Sequence, residues 1–136
     1  MNFVYFVGLV GVLIFVHELG HFTWAKIFGV RVLKFSLGFG PPIASIKQGE
    51  TEYVIAAFPF GGYVRLLGES PEDVPTKADE GRSFAEQALW KRVIIVLAGP
   101  LMNLCFPLLL YFVIFLGDAE MTPAYVGTVF PGRPAE

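Results

Sequence analysis

Two long apolar segments constrain the fold of this chain more than any other feature of its sequence. The first runs from about Phe3 to Phe28, and the second runs from Val93 to Leu116 without a charged residue. A helix over the first segment would be roughly 39 Å long, which is enough to cross a hydrocarbon core of about 30 Å. Apolar residues make up 54% of the chain and charged residues 16%, a balance that a soluble domain of this size could not bury. We therefore predict an α-helical integral membrane protein with two transmembrane helices and the lipid bilayer around them.

Charge distribution predicts the orientation of these helices. Except for Arg133, every Lys and Arg lies between the two segments or at their facing ends. The positive-inside rule therefore predicts a cytoplasmic connecting region and extracytoplasmic termini. A cleaved signal peptide is the alternative for the first segment, but no basic residue precedes it and no small-x-small site follows it. The net charge of −2 argues against a nucleic-acid partner.

The connecting region carries β-strand signals. Ile43–Lys47 and Glu52–Ala57 are short β-prone runs around Gly49-Glu50, which predicts a hairpin, and Tyr63–Leu67 predicts a further strand. These runs are too apolar for a hairpin that is free in the cytoplasm. We expect them to dip into the membrane against the helices as a re-entrant β-hairpin.

Other local signals predict where these elements end. Glycines and prolines between Gly38 and Pro42 predict a break in the chain where it enters the hairpin, and Pro59 predicts a break between strands. The polar segment Glu69–Arg82 predicts a mobile loop. Ser83-Phe84-Ala85-Glu86 matches a capping box, which predicts that the second helix begins near Phe84. The resulting division is a first transmembrane helix, a hairpin with a polar loop, and an interfacial turn with the second helix (1–28, 29–82 and 83–117).

Both histidines of the chain belong to one motif, His17-Glu18-Leu19-Gly20-His21, inside the first segment. On a helix, positions i and i+4 share one face, so both imidazoles can bind one metal ion, and neutral imidazole suits zinc. Glu18 is placed to act as general base towards an attacking water. His17 would lie about 21 Å along the helix from Phe3, in the cytoplasmic half of the core.

Two classes of function are compatible with a metal site in a membrane helix. A transporter subunit or a metal-binding scaffold needs ligands but no general base beside them, whereas hydrolysis needs both. The His-Glu-x-x-His order supplies both, so the motif favours a zinc-dependent peptidase that acts inside the membrane. A charged group near the middle of a membrane helix costs about 2.5–3.5 kcal/mol, which also argues for a functional Glu18.

The chain also resembles the site-2 protease family of intramembrane zinc metalloproteases, in its RseP-like bacterial branch. The resemblance covers nearly the whole chain and rests on five stretches, which are 15–22 around the histidines, 39–41, 52–64, 98–103 and 126–135. It implies that His17 and His21 bind Zn²⁺ and that Glu18 is catalytic. It also implies that 118–136 begins an extracytoplasmic PDZ domain, and that the protein is a multi-pass protein of the inner membrane.

The resemblance further implies the substrates and the residues that meet them. The family cuts single-span membrane proteins such as anti-sigma factors in regulated intramembrane proteolysis. The hairpin would offer an edge strand to an unwound substrate, with Gly61, Gly62 and Tyr63 as candidate substrate-binding residues. Asn103, a polar residue in the second apolar segment, is a further candidate; a hydrogen bond that packs the two helices is the alternative.

One family feature is absent from the sequence. The third zinc ligand of the family is an aspartate in a Leu-Asp-Gly motif on a later membrane helix, and no such motif occurs here. We therefore expect this chain to be the N-terminal part of the enzyme and to be inactive alone.

Overall fold

The structure is a computed structural model that describes residues 2–73 and 76–117. Its elements in chain order are helix α1 (Asn2–Ile27), strands β1 (Val32–Gln48) and β2 (Thr51–Leu66), a short 3₁₀ helix (Lys77–Asp79) and helix α2 (Leu89–Leu116). Residues 118–136, the predicted start of a PDZ domain, lie outside the described residues.

Both long helices have the length and composition to cross a membrane. The apolar spans are Phe3–Ile27 and Leu89–Leu116, with mean hydropathies of 2.0 and 2.3. Only 17% of the most apolar stretch of each helix is buried inside the structure. Their apolar surfaces therefore face outward, as expected for helices surrounded by lipid. The prediction of two candidate spans separated by a β-hairpin is confirmed.

The helices run antiparallel and are in close contact at Gly20. A Cβ atom at this position would lie 2.5 Å from the carbonyl oxygen of Ala98 and 2.9 Å from Cγ of Met102. Only glycine permits this spacing, and small residues at helix contacts are typical of packing inside membranes.

Helix α1 ends in a Schellman motif that leads the chain into the sheet. The amide of Val30 donates to the carbonyl of Ala25 at 2.9 Å, and the amide of Gly29 donates to Lys26 at 3.1 Å. Gly29 has a φ of 76°, the left-handed conformation that this motif needs. The motif starts a small core that joins α1, the sheet and α2, made of Ala25, Val30, Val32, Leu66 and Ile95.

Strands β1 and β2 pair with each other, and each strand doubles back on itself. Residues 44–48 pair antiparallel with 51–55, and 34–37 pair antiparallel with 62–65 on one side and run parallel to 52–55 on the other. The segment 62–65 is therefore at one edge of the sheet. The predicted turn at Gly49-Glu50 is confirmed, and the φ of 62° at Gly49 suits the first central position of a type II′ turn.

The predicted breaks in these strands were wrong. β1 begins at Val32 and continues through the segment from Gly38 to Pro42, and β2 continues through Pro59 to Leu66. The predicted strand near Tyr63 is therefore the end of β2. Left-handed φ values of 91° and 89° at Gly38 and Gly40, together with shifts of register, bend the strands while they remain paired.

The predicted start of the second helix was also wrong. α2 begins at Leu89, and the residue before it, Ala88, has a non-helical ψ of 143°. The carboxylate of Glu86 accepts a hydrogen bond from the amide of Gly81 at 3.1 Å, away from Ser83. The amide of Phe84 donates to Leu67 at 2.7 Å. These tertiary bonds hold the segment as turns, so the capping box does not form.

Ion pairs attach the polar segment to the rest of the molecule. Arg82 and Lys26 each lie 2.8 Å from the carboxylate of Glu50, so the hairpin turn is tied to the end of α1. Asp79 is 2% exposed and accepts hydrogen bonds from Thr76 and Arg31. These bonds, the Thr76 hydroxyl first, hold the pKa of Asp79 at about 2.

We predict that Asp79→Asn lowers the thermal stability of the full-length protein at neutral pH. Because folding depresses the pKa of Asp79 to about 2, its contribution is full above the unfolded value of about 3.9 and is lost as the pH falls towards the folded value. The unfolding midpoint in detergent should therefore differ from wild type at pH 7, and the difference should shrink as the pH falls to 3. The matched control is Glu72→Gln, an exposed acid in the same segment. An unchanged midpoint at pH 7 would contradict the prediction.

Candidate metal centre

The two histidines of the motif face the second helix, and Glu18 faces the sheet. His17 and His21 lie one turn apart on α1, with ring centroids 4.9 Å apart and planes at 77°. Glu18 is buried, with 9% of its surface exposed. The helical spacing predicted from the sequence therefore brings both imidazoles to one side of α1, facing α2.

The two imidazoles converge on a space beside Gly99 of α2. A Cβ atom at Gly99 would lie 2.7 Å from Nε2 of His17 and closer still to Nε2 of His21. Zinc binds imidazole nitrogen at about 2.0–2.1 Å. Because Gly99 has no side chain, both Nε2 atoms lie close to one point on the surface of α2, and two nitrogens this near to each other can share one metal ion.

The opposite ring nitrogens of both histidines contact groups on α2. Nδ1 of His21 lies 2.7 Å from the carbonyl oxygen of Ile95. Because a carbonyl can only accept, Nδ1 carries the proton and the neutral ring keeps the lone pair of Nε2 free. Nδ1 of His17 lies 3.4 Å from the side-chain amide of Asn103. Both histidines are therefore in contact with α2, and His21 has the hydrogen bond to a carbonyl that is usual for imidazoles that bind metals.

The edge of the sheet closes the site on the side of Glu18. A Cβ atom at Gly62 would lie 3.0 Å from Cγ of Glu18 and 2.8 Å from the carbonyl oxygen of Ser36. The backbone of Val64 also faces the carboxylate. The free edge segment 62–65 therefore runs past the residue that the sequence identifies as the general base.

A cavity of about 300 Å³ lies between α1, α2 and this edge. Its lining combines candidate site residues with apolar side chains, namely Val10, Leu13, Ile14, His17, Glu18, Phe39, Gly61, Gly62 and Asn103. Of the candidate substrate-binding residues, Gly61, Gly62 and Asn103 thus line the same cavity as His17 and Glu18. Tyr63 is not in this lining; its ring stacks on Phe39 with centroids 6.1 Å apart.

The residues that the structure describes supply part of a catalytic zinc site. In residues 2–73 and 76–117, no group of three His, Cys, Asp or Glu side chains could hold a metal ion. Catalytic zinc sites use three protein ligands and one open position. His17 and His21 fit two of these ligand positions by their geometry and by the proton on Nδ1 of His21.

Sequence reasoning missed two contributors to this site. Gly99 gives room beside both Nε2 atoms, and Phe39 forms one wall of the cavity. For Gly99 a signal existed, because it precedes Asn103 by four residues and a helix places both on one face. For Phe39 the signal was its place in the stretch 39–41 that carries the family resemblance, but its position beside the cavity depends on the bend in β1.

Comparison with known proteins identifies the family of this chain. Residues 5–128 match the sequence profile of peptidase family M50. The chain belongs to peptidase family M50. The resemblance to site-2 proteases is therefore confirmed.

Individual relatives of this M50 chain are longer proteins. Each of three is named "Putative zinc metalloprotease". The chain is 43% identical to the one from Thermotoga maritima over all of its own residues and 27% of that protein. It is 40% identical to one from Vibrio cholerae over 96% of the chain and 29% of that protein. Identity to one from Clostridium acetobutylicum is 40% over 93% of the chain and 35% of that protein. The chain thus spans about a third or less of the length of these relatives.

We predict that Gly99→Ala in the full-length protein abolishes tight zinc binding. The added methyl group would occupy the space beside both Nε2 atoms. Zinc content after purification in detergent checks this. The matched control is Gly8→Ala, the same substitution in a membrane helix at a position where an added Cβ has no neighbour within 4 Å. Normal zinc content in Gly99→Ala would show that the ion does not lie beside this residue.

Proposed function

We propose that the protein to which this chain belongs is a zinc-dependent endopeptidase that hydrolyses peptide bonds inside the membrane. His17 and His21 bind the zinc ion, and Glu18 is the general base. The convergence of both Nε2 atoms on the space beside Gly99, next to a cavity lined by Glu18, carries this proposal. A site that only stored or transported an ion would not need the carboxylate.

Zinc and Glu18 have different roles in the proposed hydrolysis. When bound, zinc supplies Lewis acidity and lowers the pKa of water. Glu18 accepts the proton of the attacking water and passes it to the amine of the leaving group. Its burial and the nearby sheet edge restrict bulk water around the carboxylate. The third zinc ligand comes from outside the described residues, and the family resemblance implies an aspartate of a Leu-Asp-Gly motif.

Substrate binding is proposed to occur at the edge of the sheet. The edge segment 62–65 can pair with an extended peptide and hold its backbone beside Glu18, a β-augmentation mode. Gly61 and Gly62 contribute no side chains to the cavity where the peptide would lie. A second, apolar cavity of about 350 Å³ lies between α1 and the bend of the sheet and shares Ile14 and Gly61 with the first. It suits the apolar side chains of a membrane segment.

Single-span membrane proteins are the proposed substrates. Their helices must unwind to expose a peptide bond, and an edge strand next to the base supports such an extended segment. By resemblance, anti-sigma factors that another protease has already trimmed are the proposed example, cleaved in regulated intramembrane proteolysis. The proposed location is the inner membrane, with residues 29–92 in the cytoplasm and both ends of the chain outside.

The test of the chemistry is Glu18→Gln in the full-length protein. The variant should keep zinc, because both histidines remain, and its cleavage of a single-span model substrate should fall by roughly 10²–10⁴-fold. Zinc content and cleavage rate are measured on the same sample in detergent. His17→Ala, by contrast, should lose both. Wild-type cleavage by Glu18→Gln would exclude Glu18 as the base.

The proposed orientation can be tested with one cysteine. Glu72 is exposed in the polar segment between the helices, so Glu72→Cys, in a background without other cysteines, should resist an impermeant thiol reagent in intact cells. The same cysteine should react after lysis, which is the control for its accessibility. Labelling from outside would reverse the topology and place the metal centre in the other half of the membrane.

A further inference from the structure

Asn103 is the one polar side chain of α2 that contacts a proposed metal ligand within the described part of the chain. Its amide nitrogen, as placed, lies 3.4 Å from Nδ1 of His17. Its amide oxygen is fully buried and has no hydrogen-bond partner among the described residues. One buried amide atom of Asn103 is therefore without a partner in either assignment of the amide, so the chemistry of His17 has to decide between the two.

The chemistry of the imidazole decides which amide atom faces His17. If the amide nitrogen donated to Nδ1, a neutral His17 would carry its proton on Nε2. That proton would take the lone pair of Nε2, the atom that lies beside Gly99, and His17 could then not bind a metal ion through it. The oxygen and nitrogen of an amide have nearly the same shape, and their assignment follows from the hydrogen-bond network. Exchanging the two atoms places the oxygen, now an acceptor, opposite Nδ1.

We propose that Asn103 is a positioning residue that accepts a hydrogen bond from Nδ1–H of His17. This inference rests on the proposed function. The side-chain oxygen of Asn103 fixes the tautomer of His17 and keeps the lone pair of Nε2 directed at the metal. The backbone carbonyl of Ile95 accepts the corresponding hydrogen bond from Nδ1–H of His21. The two ligands are thus oriented by the same helix, one by its backbone and the other by a side chain two turns later.

The spacing along α2 explains why a side chain is needed for His17. Ile95, Gly99 and Asn103 are four residues apart, so they lie along one face of α2. His17 and His21 are also four residues apart on the antiparallel α1, so Ile95 lies opposite His21 and Asn103 opposite His17. Gly99 lies between the two pairs and lets both Nε2 atoms approach α2. An amide extends from the helix to His17 without placing a net charge in the membrane.

The test measures zinc affinity, which does not require the protease to be active. The full-length Glu18→Gln protein in detergent serves as the parent, so that self-cleavage cannot interfere. The zinc dissociation constant is measured by competition with a chromophoric chelator for Asn103→Leu and Asn103→Asp. Leucine has a similar size but no acceptor, whereas aspartate keeps acceptor oxygens and has no amide donor. Leu104→Ala, at an exposed apolar position on the same helix, is the matched control.

The expected result is that Asn103→Leu weakens zinc binding by roughly 10–100-fold, the usual cost of losing the partner of a metal-binding histidine. Asn103→Asp and Leu104→Ala should bind zinc at least as tightly as the parent. Parental affinity in Asn103→Leu would overturn the proposal. Equal losses in Asn103→Leu and Asn103→Asp would also overturn it, because the amide would then act as a donor. Zinc retained by His17→Ala in the same assay would instead overturn the proposed metal site, and the inference with it.

Discussion

The close approach of α1 and α2 at Gly20 and Ala98 is the contact on which the remaining features depend. At this point the backbone of one helix meets that of the other, with no side chain between them. Such a contact fixes both the distance between the helices and their rotation about their axes. Rotating either helix by one residue, about 100°, would turn the histidines away from α2. The candidate metal centre therefore depends on helix packing as much as on the His-Glu-x-x-His motif.

Three elements contribute different components to the site and are joined by one small core. α1 carries the proposed ligands and the proposed base, α2 contacts both histidines, and the sheet encloses the cavity beside Glu18. Ala25, Val30 and Ile95, each at most 2% exposed, connect these elements where α1 ends. Most other apolar side chains of the helices face outward. In a membrane, the hydrophobic effect does not drive helices together, so this core and the glycine contact stabilise an otherwise loosely packed molecule.

How far the sequence predicted the structure depended on whether a signal was local. The histidine spacing, the span lengths and the turn at Gly49 follow from a few consecutive residues, and the structure has them. The doubling of β1 and β2 depends on pairs such as Ser36 with both Val54 and Tyr63, which no local pattern encodes. Glu86 does not act as a capping residue because its carboxylate accepts a hydrogen bond from the amide of Gly81. Gly99 acquires its role only when another helix is placed against it.

Gly99 has a consequence for how proteins of this kind can diverge. A site formed by the absence of a side chain cannot be adjusted in small steps, because every replacement of hydrogen adds volume beside the ion. One wall of the cavity beside His17 is formed by Phe39 against Gly61, where size and shape can change without touching a proposed ligand. The proposed metal site and this wall of the cavity therefore lie on separate stretches of chain, and mutation can alter the shape of the cavity without changing the residues of the site.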